Sequence, residues 1–428
     1  MNTTLMTKNF VPMRKNNFTI LIVFLLVVFS LSKVSASVWA LNSNAVGYSN
    51  SKNTEKMEWN NEWEKHYSFW VQKVLQTNWL QNERLQYGEF NPFYRWQVDC
   101  AKLAYLTRLF FSYRYGLEFV IRSDQGQLIS SQDNHWDEEP NPIKRLKNFA
   151  KFILARVSTR TISRDSLLID ISRNSLIPGT LLVADSKRGH VMILKELKRS
   201  GAPIFIYSTL PASDFIYESY SYPTPEAYFL SGKNPSVSQG GFRRFLWPSE
   251  HRARITQRAP LKTPAPFQES LIQTELNLPL FFDEVQKKVL VAPLSENEKF
   301  EYLLDDLCMK MHERMNVIID AALALENKKG KRFTEAEFDL YSTYRRDFDI
   351  MTYIQRLDQT YREKRYLLSP NNQTIYQQLL TATSLNDDFC LVPWADNKLE
   401  SLGSLRAKFL AKKISSNPYD SFAKRWGE

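Results

Sequence analysis

The sequence predicts an α+β chain, with an antiparallel sheet in its middle and an α-helical domain at its C-terminal end. Three observations carry this. Apolar residues at helical spacing precede and follow a group of short apolar runs. Two of those runs, Val191 to Leu197 and Ile204 to Thr209, flank the turn-forming stretch Lys198-Arg199-Ser200-Gly201-Ala202-Pro203, the pattern of an antiparallel hairpin. Near Ser295 the composition shifts to charged residues with apolar positions on one helix face.

The chain opens with Lys8, Arg14 and Lys15 and then an apolar core from Ile20 to Leu31, followed by Val34-Ser35-Ala36. A charged start, a core shorter than the roughly 20 residues of a spanning helix, and small residues after it make a cleavable signal peptide, residues 1–36. The expected product is secreted or periplasmic, with no transmembrane segment after cleavage. Cleavage removes four basic residues and no acids, so the formal net charge of +10 falls to +6. A basic surface favours peptidoglycan or another anionic cell-wall polymer as partner. Zinc-finger spacing and a dense arginine stripe are both absent, so nucleic acid is not expected.

Residues 37–56, rich in Ser, Asn and Lys, read as a flexible leader. Trp59, Trp63, Trp70 and Trp79 then recur at loosely helical spacing, as core-packing residues of a helix or helix pair. Leu103, Leu106 and Phe110 mark a second helix, with Gly116 as its cap, and Leu117 to Ile121 an extended run. The acidic stretch around His135 reads as a solvated loop. Lys144 to Val157 is amphipathic, and Pro178-Gly179 opens a strand from Thr180 to Ala184. Pro and Gly recur from Pro211 to Pro266, a loop-rich region. The sheet-bearing domain is thus set at 57–260, a linker at 261–294 and the helical domain at 295–428. In the last, Ser295 with Glu298 and Thr334 with Glu337 are capping-box pairs. The first precedes Phe300, Leu304, Leu307, Met311, Met315 and Ile318 on one face.

The chemistry centres on Asp99-Cys100-Ala101-Lys102, which places a cysteine at the first turn of an apolar-faced helix, where amide N–H groups and the helix dipole favour a thiolate. Ninety residues on, Gly189-His190-Val191-Met192-Ile193-Leu194 begins a strand with a histidine. Cysteine on a helix, histidine on a strand and a polar orienting group after them is the papain-like order.

From Pro92 to Pro211 these features together resemble the NlpC-type family of cell-wall cysteine peptidases, which cut amide bonds in peptidoglycan stem peptides. The resemblance implies a papain-like domain with Cys100 as nucleophile, His190 as base and Tyr94 lining the substrate cleft. Its third residue falls on Tyr207 by position, with Ser208 next and Glu196 a weaker option. The chain departs from the family around the cysteine, with Ala101-Lys102 in place of Ser-Gly and no glycine pair before it. The expected function is hydrolysis of a peptidoglycan amide through a thioester, without metal or other cofactor. The alternatives are a catalytically inactive wall-binding or scaffold protein of the same fold, and an acyltransferase. Arg243 and Arg244, among aromatics in Gly240 to Pro248, are candidate clamps for a stem-peptide carboxylate, against the plainer reading of basic residues on a strand. His312-Glu313 lacks a second histidine at metal-ligand spacing and reads as a solvated face. Three cysteines in an oxidising compartment leave one unpaired, and a Cys308–Cys390 disulfide that keeps Cys100 free is the expected pairing.

Overall fold

The computed structural model describes residues 58–85, 88, 90–123, 125–133, 139, 141–185, 190–219, 236–257, 265–273, 278–381, 389–395 and 398–428. The expected signal peptide and leader lie outside these residues, as does the loop at 134–138.

Helix α1 (Asn61–Lys73) starts where the Asn60 side chain accepts the amides of Glu62 and Trp63. Helix α2 (Cys100–Arg114) is capped by Asp99, whose carboxylate accepts the Lys102 amide at 2.9 Å. The short pair β1 (Val120–Arg122) and β2 (Leu128–Ser130) and the helices α3 (Pro142–Leu154) and α4 (Thr159–Ile162) follow. Six strands then form one sheet: β3 (Ser166–Leu168), β4 (Leu181–Asp185), β5 (His190–Leu197), β6 (Pro203–Tyr207), β7 (Tyr217–Ser219) and β8 (Ser236–Phe245). Their order is β3-β8-β4-β5-β6-β7 and every pairing is antiparallel. Mixed helix and antiparallel sheet make the chain α+β.

Both faces of the sheet are covered. Leu181, Val183, Val191, Ile193 and Ile206 join one core with Leu103, Leu106 and Phe110 of α2 and the tryptophans Trp59, Trp70 and Trp79. Leu182, Met192, Leu194, Phe205, Tyr207 and Phe242 join a second core on the opposite face. That second core is closed by residues of the expected linker. Residues 261–294 hold α6 (Pro266–Gln273) and α7 (Leu278–Val289), which follow α5 (Pro248–Gln257). Leu271, Phe281, Phe282, Val285 and Val289 pack on the sheet, because amphipathic helices bury their apolar stripe wherever an apolar face is available. The linker boundary is therefore corrected: this segment belongs to the sheet's core.

Gly179 shows how tightly the layers meet. Its φ is +91°, and a Cβ there would lie 2.7 Å from a ring carbon of Tyr67 in α1. Only glycine gives both the turn and the close approach.

The C-terminal part is built on α8 (Glu296–Asn327), 32 residues and about 48 Å long. It opens with the Ser295/Glu298 capping box. Its Phe300, Leu304, Leu307, Met311, Met315 and Ile318 are buried against Ile350, Tyr353, Ile354 and Leu357. Those partners come from α10 (Tyr344–Lys364), which follows α9 (Glu335–Tyr341). Beyond α11 (Pro370–Thr381), a hairpin of β9 (Leu391–Ala395) and β10 (Lys398–Ser401) leads to α12 (Leu402–Leu410) and α13 (Phe422–Arg425). Cys308 and Cys390 are joined by a disulfide with Cα atoms 5.9 Å apart. The helical part also meets the sheet: Asn316 donates to the Tyr217 hydroxyl at 2.8 Å, and the Ser219 hydroxyl donates to Asp306 at 3.3 Å.

Candidate functional site

Cys100 stands at the first position of α2 and is buried. The cap that fixes the helix start also sets a carboxylate beside the thiol. Burial, and secondarily the Asp99 charge, push the Cys100 thiol up to about 11, although the Val191 amide, the Thr159 hydroxyl and the Ala101 amide all act to lower it. The helix N-terminus alone would favour the thiolate, but desolvation of the charged form wins here. At neutral pH this sulfur is a protonated thiol.

His190 begins β5 opposite Ala184 of β4. Successive strand residues point to opposite faces, so His190 shares the face of Met192 and Leu194 rather than that of Val191 and Ile193. Its ring meets Tyr207 edge-on, with centroids 5.8 Å apart, and Tyr207 in turn lies 5.6 Å from Tyr217. The charges that act on it come from α8: burial holds its pKa down to about 3, Glu313 raises it and Lys310 lowers it. Glu313 is itself held by the Arg346 Nε–H at 2.8 Å and lies 3.7 Å from Lys310.

Cys100 and His190 thus approach the same strand from its two sides. The sulfur lies against the Val191 backbone on the α2 face, whereas the imidazole faces the second core. The His190 imidazole is not among the groups acting on the sulfur. The expected nucleophile–base pair is not assembled: a period of two carries His190 away from α2. Tyr207 does meet His190, but on the face remote from Cys100. Ser208 donates to the Val98 carbonyl at 2.7 Å and so ties β6 to the approach of α2.

Tyr94 lies in the turn before α2, where the Arg95 guanidinium sits 5.2 Å from its ring centroid. Among the described residues no hydrogen bond or ring contact joins it to Cys100 or His190. Arg243 and Arg244 hold the fold instead of facing a cleft. Arg243 is buried and donates to the Ser166 hydroxyl and to the carbonyls of Gly240, Ser163 and Ser166. Arg244 makes a two-pronged pair with Glu250 at 2.8 and 2.6 Å and stacks on Trp247. The clamp is therefore corrected to the plainer reading, because donors already used inside the protein cannot grip a substrate carboxylate.

Two features of this region escaped the sequence reading. Thr159, whose hydroxyl reaches the Cys100 sulfur, starts α4 after the Ser158 cap, and the Ser158-x-x-Thr161 spacing was the available signal. Lys310 and Glu313 are three apart on α8, but the Arg346 that holds Glu313 lies 33 residues on, and for that pairing no local signal exists. No family model, curated protein or solved structure matches the chain.

Proposed function

We propose that this chain is a catalytically inactive wall-binding or scaffold protein, exported to the cell envelope, with a papain-like arrangement of helix and sheet. The observation that carries this reading is that Cys100 heads α2, which packs on the face of β5 that bears Val191 and Ile193, whereas His190 meets Tyr207 on the face that bears Met192 and Leu194. A buried thiol whose ionisation is suppressed, and an imidazole whose basicity burial has lowered and which meets Tyr207 instead of the sulfur, do not make an activated nucleophile–base pair. What remains is a two-sided core in a chain that, after signal cleavage, carries an excess of six basic residues over acidic ones. An anionic glycan or teichoic polymer suits such a surface, and its binding would weaken with salt. The test is to incubate the purified chain with peptidoglycan sacculi. Co-sedimentation that declines with salt, and no new stem-peptide fragments by mass spectrometry, is the expected result. Release of fragments that stops in Cys100→Ala would overturn it.

One observation favours the cysteine-hydrolase reading. The Cys100 sulfur heads a 15-residue helix and takes the Val191 and Ala101 amides, a setting in which backbone N–H groups could stabilise an oxyanion. Fragments released only in the presence of both Cys100 and His190 are the signature of that reading.

A further inference from the structure

Cys308 and His312 lie one turn apart on α8, so their side chains share a face of the helix. Cys390, just before β9, meets them from the other side. The two sulfurs and one imidazole nitrogen lie within 4.8 Å of one another. The His312 ring stacks on Phe215 at 6.4 Å with an interplanar angle of 18°, which fixes its plane. Its Nδ1 is buried and has no hydrogen-bond partner. Cys390 is buried in the C-terminal core, and Cys308 packs against that core.

We propose that Cys308, His312 and Cys390, in the reduced chain, form a binding site for a zinc-class divalent metal ion, and that the disulfide is the closed, metal-free form of the same site. Two thiolates and an imidazole are the donor set that soft and borderline ions prefer, with the fourth tetrahedral position left to water. Metal–sulfur bonds of about 2.3 Å and metal–nitrogen bonds of about 2.0 Å require donors roughly 3.5–4 Å apart. The sulfurs need to separate to that distance, and the nitrogen, within 4.8 Å of both, has at most about 1 Å to close. The conversion balances. A dithiol reductant gives two electrons and two protons to the disulfide, is itself oxidised to a disulfide, and leaves Cys308 and Cys390 as thiols. Metal binding then displaces both thiol protons to solvent. In an oxidising compartment the covalent form prevails, so the metal form belongs to the chain before oxidation or in contact with such a reductant.

The experiment uses the full chain carrying Cys100→Ala, so that only two thiols exist. It is reduced with a phosphine, which leaves as phosphine oxide, and titrated anaerobically with cobalt(II) as spectroscopic probe, with circular dichroism followed in parallel. The reduced chain should take up one equivalent, with thiolate-to-cobalt charge-transfer and tetrahedral visible bands, and zinc should displace it. The oxidised chain should take up none. His312→Ala should weaken uptake at least ten-fold while both thiols still titrate. If the reduced chain loses structure without metal and regains it with cobalt, that too supports the site. Absence of thiolate bands when two thiols are counted, equal uptake by the oxidised chain, or His312→Ala binding as tightly as its parent would overturn it.

Discussion

The reactivity of Cys100 separates the two functional readings, and its magnitude can be worked from the structure. Burial and the Asp99 charge raise the thiol from an ordinary value near 9.0 to about 11. Two units mean roughly 100-fold less thiolate at neutral pH. A more basic thiolate is also a better nucleophile, and with a Brønsted slope of about 0.5 two units return roughly ten-fold. The ionisation effect wins, leaving exchange with a small disulfide about ten-fold slower than for a free-cysteine peptide, before occlusion by the surrounding side chains slows it further. The assay is stopped-flow reaction of the folded chain with an aromatic disulfide across pH, with the Cys308–Cys390 bond intact so that a single thiol reports. The urea-unfolded chain serves as the control that reacts at the peptide rate. The rate should still be rising at pH 9, without an inflection below it. Asp99→Asn keeps a good helix cap while removing the negative charge, and should speed the reaction several-fold. A folded chain that reacts as fast as the peptide, with an inflection below pH 8, would refute the buried-thiol argument and restore the activated nucleophile.

Arg108 is buried on α2, gripping Glu64 with two bonds of 2.9 and 2.8 Å, its guanidinium 3.3 Å from the Trp59 ring centroid. Arg108→Met leaves the half-buried Glu64 with the Trp247 indole N–H but without this cation, and should cost about 2–4 kcal/mol in urea unfolding; a loss below about 1 kcal/mol would mean that the pair is dispensable. Gly179→Ala meets both a positive φ and the Tyr67 ring, and should destabilise by about 1–3 kcal/mol, read as a lowered Tm, with an unchanged Tm counting against the close approach. For His190, the folded pKa of about 3 lies below its ordinary 6.5, so the unfolded chain binds the extra proton. Stability on its account is therefore full above about pH 6.5 and is lost as pH falls toward 3, by at most about 5 kcal/mol. Asp305 and Asp320, raised to about 6 mainly by burial, act in the opposite sense over the same range. The quantity to follow is therefore the stability difference between the parent and His190→Gln from pH 7 to pH 4, which should shift steadily against the parent; a flat difference would place His190 in water.

Local chemistry in the sequence determined where elements begin and which positions are apolar. Asp99, Ser295 and Thr334 mark helix starts because a short polar side chain there satisfies amides that the helix itself leaves open. The β5–β6 hairpin followed from its Gly-Ala-Pro turn, and the buried face of α8 from its spacing of apolar residues. The sides of the sheet were not legible. Val191, Met192, Ile193 and Leu194 are all buried, because helices cover both faces, and an unbroken apolar run gives no sign of which residues face α2. The sheet's register and the packing of α6, α7 and α8 decided that Val191, not His190, meets Cys100. The same holds for charge. A cysteine at a helix start reads as activated, since the dipole is a local property, but desolvation depends on everything packed around the thiol and is set only when the chain is folded. His312 likewise stands alone in the sequence, 78 residues from Cys390, and only the fold of the helical part brings the two together.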